Sequence, residues 1–72
     1  MKKGDIYYTK DSILYRILNY HYHRDVTRME VQILGGMPKE VTTLYMRLSD
    51  TKEDRLVTEE EYDLYLLTGV LP

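Results

Sequence analysis

Residues Val57-Thr58-Glu59-Glu60-Glu61-Tyr62 constrain the fold of this chain more than any other stretch. Before them apolar residues recur with a period of two; after them the spacing approaches the helical 3.6. Thr58 is placed to accept from the amide of Glu61, and Glu61 to reach back to the amide of Thr58, which is a capping box. Val57 and Tyr62 flank the box as a hydrophobic staple. The pattern predicts one short helix over about 59–67, stopped near Gly69, where a left-handed cap belongs. Tyr62, Tyr65 and Leu66 are expected to share the face that covers one end of a sheet.

Upstream, the alternation predicts strands over about 5–9, 12–22, 26–34 and 41–48, with a short further pairing at Leu56-Val57. The second strand is apolar on both faces at its start: Ile13, Tyr15 and Ile17 on one, Leu14 and Leu18 on the other. A strand buried on both sides, or bending through a barrel corner, reads this way. In the third, Thr27, Met29, Val31 and Ile33 face in and Arg28, Glu30 and Gln32 face out. In the fourth, Leu44, Met46 and Leu48 face in, and Thr43, Tyr45 and Arg47 face out. Arg24-Asp25 and Gly35-Gly36-Met37-Pro38-Lys39 separate them as turn and loop, and Ser49 to Arg55 reads as a polar loop. A chain of 72 residues makes one domain. Four or five short strands are too few for a sandwich. The expected class is α+β: a small antiparallel, partly open SH3-like β-barrel of 4–5 strands with one C-terminal helix. A flat antiparallel sheet with the helix across one face is the alternative.

Lys3-Gly4-Asp5-Ile6-Tyr7-Tyr8 resembles the first strand of the MazF/PemK toxin ribonucleases, which have SH3-like barrels. The match covers six residues. In that family a glycine-rich loop and an Arg-Pro segment carrying catalysis follow. Here Thr9-Lys10-Asp11-Ser12-Ile13 follows, and no Arg-Pro pair exists in the chain. The resemblance thus implies the barrel and transfers no catalytic residue. In length and style the chain also resembles small single-domain proteins of bacteriophages and mobile elements.

Composition removes several classes of function. There is no cysteine, so no disulfide, thiolate metal site or thiol nucleophile is available. The apolar run Ile13–Leu18 is broken by Arg16, which argues against an export signal. No run approaches the ~20 apolar residues of a membrane span, and cytoplasmic residence is expected. Ser12 and Ser49 lack a nucleophile-elbow context. No Gly-x-Gly-x-x-Gly or Walker sequence is present, and Gly35-Gly36 alone is a loop. The expectation is a non-enzymatic chain with no cofactor.

Charge is unevenly spread. Up to Arg28 there are six Lys/Arg against three Asp; from Met29 onward there are four against nine acidic residues. Glu59, Glu60 and Glu61 complement the helix dipole. Asp50, Glu53 and Asp54 lie outside the helix, and with Tyr45 they form the first candidate site, for an unidentified protein partner. The second is the hairpin from His21 to Arg28, whose His21, His23, Arg24 and Arg28 form a basic patch beside Tyr20 and Tyr22, read as outward or strand-end residues. Phosphates would meet the cations there and unpaired bases the rings. His21 and His23 share a strand face, yet a metal site needs at least one more ligand, so no metal is expected. All eight aromatic residues are tyrosines, a type suited to interfaces, including one between copies of the chain. The preferred expectation is a protein-interaction module, such as a phage or prophage accessory factor that binds and modulates a host protein. A small nucleic-acid-binding barrel is the alternative.

Overall fold

Alternation of inward and outward residues produces five antiparallel strands: β1 Ile6–Tyr8, β2 Leu14–His23, β3 Val26–Gly35, β4 Thr43–Arg47 and β5 Arg55–Val57. A 3-10 turn, Leu48–Thr51, precedes β5, and one helix, α1 Glu59–Thr68, follows it. The computed structural model describes residues 2–71; Met1 and Pro72 lie outside the described residues. The strands form one sheet in the order β4-β3-β2-β1-β5 that does not close on itself. This is the expected α+β architecture, a partly open SH3-like barrel with a C-terminal helix.

The start of β2 explains the double-sided core. Tyr15 and Ile17 point to the inner face, where they are buried with Met29 and Val31; Ile33, Leu44, Met46 and Leu48 pack around them. Leu14 points to the other face and is buried with Ile6 and Val57, under Tyr62, Tyr65 and Leu71 from the C-terminal end. One strand thus supplies residues to two apolar clusters, as its sequence requires.

An irregularity in the β2–β3 register lies between Ile17 and Asn19: Ile17 pairs with Val31, but Asn19 already pairs with Glu30. Such a bulge inserts one residue and reverses the phase of the residues beyond it. Leu18 is left 40% exposed, and Tyr20, opposite Met29, packs on the inner cluster. Its expected outward position is corrected: two-residue alternation fails where the ladder holds an extra residue. Past this point, β2 and β3 run on to a hairpin at Arg24-Asp25, where Arg24 adopts φ 55°.

Helix α1 begins as its sequence dictates. The amide of Glu61 donates to Thr58 Oγ1 at 3.1 Å, and the amide of Thr58 to Glu61 Oε1 at 3.1 Å. That backbone hydrogen bond, with the nearby Arg55 guanidinium, holds the Glu61 carboxyl below its usual range. Gly69 closes the helix at φ 77°. The Arg16 guanidinium ties the helix to the sheet. It donates to the Gly4 carbonyl at 2.8 Å, pairs with Glu59 at 3.1 Å and lies 5.8 Å from the centre of the Tyr62 ring. Leu66, expected on the covering face, is 63% exposed. The sheet end is covered instead by two tyrosine rings, stacked 6.3 Å apart, and by Leu71.

Gly35 and Gly36 are more than loop residues. Gly35 ends β3, and a Cβ there would overlap the Tyr65 hydroxyl. Gly36 has φ 89°, and a Cβ there would collide with the Ser12 carbonyl. The missing side chains let the end of β3 approach Tyr65 of the helix and the residues just ahead of β2.

Candidate functional site

The chain from Leu48 to Asp54 crosses the inner side of the sheet as a strap. Its turn is locked locally: Thr51, only 4% exposed, donates through Oγ1 to the Leu48 carbonyl at 2.7 Å. The amide of Asp54 donates to the Thr51 carbonyl at 3.1 Å. The strap is also tied to the core, because the buried Tyr15 hydroxyl donates to Asp54 Oδ2 at 2.6 Å. The Tyr7 ring stacks on Tyr15 at 6.0 Å. Burial foremost, then the bond to Asp54, pushes the Tyr15 phenol far above its ordinary value, so it remains a neutral donor. Tyr7 is raised by burial and then by Asp5; Tyr20 is raised by burial and then by Tyr7 and Asp5. The Tyr20 hydroxyl is buried and has no hydrogen-bond partner among the described residues.

A groove lies on either side of the strap. The larger, about 630 Å³, has apolar lining from Tyr7, Val26 and Leu48, and charges of both signs from Asp25, Arg47, Lys52 and Asp54. The smaller, about 420 Å³, has Ile13 and Met46 with Lys10, Asp11, Asp50 and Glu53. Ser49, Lys52 and Asp54 line both. Apolar lining with polar groups at the edge is the composition of a recognition cleft.

The expected acidic site is divided by this geometry. Asp50, Glu53 and Asp54 stand together on the strap. Asp54 has a structural duty that its sequence position conceals, because its partner Tyr15 lies 39 residues away. Glu53 reaches Lys10 at 3.9 Å, with both side chains largely exposed, a pair of little energetic weight. Tyr45 belongs elsewhere: it points outward from β4, and its ring meets the edge of His21 at 5.7 Å. Tyr7, Leu48 and Lys52 escape sequence reasoning as site residues, since nothing local marks them as neighbours.

The second candidate site is also rearranged. On the outer face, His21 pairs across the strands with Arg28, and Arg28 with Arg47. One cross-strand row thus holds three basic residues, of which Arg47 is not anticipated from the sequence as a site residue. His21 Nε2 lies 3.3 Å from Glu30 Oε1. Tyr20 and Tyr22 lie on the opposite face from His21, Tyr20 packed inward and Tyr22 78% exposed. His23 and Arg24 sit at the exposed hairpin tip. Among the described residues, no group of three or more His, Asp or Glu side chains is arranged to hold a metal ion, and no helix is long and apolar enough to cross a membrane. In comparisons with known proteins, no protein-family model, no curated protein and no solved structure matches the chain.

Proposed function

We propose that this chain is a non-enzymatic protein-interaction module that takes an extended segment of a partner protein in the grooves beside the Leu48–Asp54 strap. The observation that carries this reading is the part-buried Tyr15–Asp54 bond, which ties the strap to the core. A binding surface whose backbone is fixed beforehand loses less entropy on association. Tyr7, Val26 and Leu48 supply apolar contact. Asp50 and Glu53 favour a segment that carries Lys or Arg beside its apolar residues, and they speed its approach. Within this proposal the chain acts as an accessory factor of phage or prophage type that modulates a host protein in the cytoplasm.

Defined peptides test this. Two peptides with the same apolar residues, one bearing lysines and one glutamates, are titrated into isotopically labelled protein. The basic peptide is expected to shift the backbone signals of Ser49, Thr51 and Lys52. Asp50→Lys with Glu53→Lys should slow its association strongly, with the fold unchanged by circular dichroism. Asp54 is left intact because it holds Tyr15. Shifts confined to other surfaces, or equal binding by the charge-reversed protein, would refute the reading.

A further inference from the structure

We propose a second binding site, which adjoins the larger strap groove through Arg47: the outer face of β2, β3 and β4 binds single-stranded nucleic acid, with phosphates on Arg28 and Arg47 and an unpaired base on Tyr45. Arg28 and Arg47 are direct cross-strand partners, so their Cβ atoms stand roughly 5 Å apart on one face. Like charges so placed repel, and sheets ordinarily avoid the pairing. Both arginines are exposed. Among the described residues, no carboxylate forms an ion pair with either one. Glu30, the carboxylate on the same face, is already engaged by His21 at 3.3 Å. Two guanidinium groups side by side therefore present free donor forks to solvent, a geometry that phosphate oxygens satisfy bidentately.

The neighbouring row decides the class of anion. Tyr45 is the cross-strand partner of Glu30, next to the arginine row. Its ring is 66% exposed and is steadied by edge contact with His21 at 5.7 Å. An aromatic face held beside paired arginines suits a chain that alternates phosphates with flat bases. An acidic peptide would use the arginines and leave the ring without a role. A duplex buries the faces of its bases, so the ring selects single strands. The protein's net charge of −2 opposes long-range attraction, and the site engages few nucleotides.

Fluorescence anisotropy with a short labelled oligo(dT), its duplex and a labelled oligoglutamate tests this. Oligo(dT) should bind at low salt with a log–log salt slope of about −1.4, for two phosphates at about 0.7 each on a single strand. Arg28→Gln with Arg47→Gln should weaken it at least tenfold and flatten the slope. The same change should raise the melting temperature, because the repulsion is removed. Tyr45→Leu should weaken binding about fivefold or more with the slope unchanged. Asp50→Lys with Glu53→Lys should leave Arg28, Arg47 and Tyr45 as the signals that oligo(dT) perturbs, which separates this site from the strap grooves. No binding at low salt, binding that survives loss of both arginines, or equal affinity for duplex or oligoglutamate would overturn the proposal.

Discussion

The Tyr15 phenol joins the middle of the sheet to the strap across 39 residues of chain. Hydrogen bonds to charged groups contribute roughly 1.5–3 kcal/mol. Tyr15→Phe should therefore lower stability by about that amount in urea denaturation, and Asp54→Ala by about 1–3 kcal/mol, since it leaves a buried hydroxyl unpaired. The double variant should lose less than the sum, as expected for two ends of one bond. The pH dependence has a definite sign. The folded phenol is raised above its ordinary value of 10.0, so its contribution is complete below pH 10 and is lost as pH rises further. Wild type should lose stability above pH 10 more steeply than Tyr15→Phe. None of this is visible locally, because an aspartate in a polar loop resembles any solvated charge until the fold brings a phenol beneath it.

At the scale of elements, legibility follows the range of the forces involved. The helix is readable because a capping box is settled by residues three apart. Thr58→Ala should destabilise by about 0.5–2 kcal/mol, measured as a shift of the denaturation midpoint. A ten-residue helix is below the ~12–15 residues that persist alone, so the packing of Tyr62 and Tyr65 on the sheet carries it, with the cap in support. The Glu61 carboxyl, lowered by the Thr58 amide, supports the cap above the ordinary carboxylate range and ceases to as pH falls through its folded value. The β2 bulge is not readable: Leu18 and Tyr20 carry no glycine or other local mark of an extra residue, and the phase change emerges only on pairing with β3. Leu66 is misplaced for a similar reason, since helical spacing says which residues are neighbours and not how wide a strip the sheet can cover.

For the whole molecule, the strand register makes the sharpest prediction. Val31 is fully buried and Gln32, one residue on, is exposed. Val31→Asp should unfold the protein, because an unpaired buried carboxylate exceeds the margin of so small a core. Gln32→Asp should stay within about 0.5 kcal/mol of wild type. Thermal melts of the two variants check it. The inward and outward sets of β3 and β4 are legible since alternation survives wherever the ladder is regular. The grooves are not, being made of residues from β1, the hairpin tip and the strap, which meet only in three dimensions.

Strand β1 has neighbours on both sides, β2 and β5. Ile6 pairs with Arg16 and also with Val57. On a ribosome these two partners arrive far apart in time. Residues 14–16 emerge almost at once, whereas residues 55–57 come after roughly 2–9 s at ~5–20 residues per second. Throughout that interval the nascent chain carries a hydrogen-bonding edge at Ile6–Tyr8 with nothing beside it, open to the matching segment of any neighbouring chain. Slow translation or an early stop before Arg55 therefore exposes this protein to intermolecular pairing at a strand that the finished molecule hides.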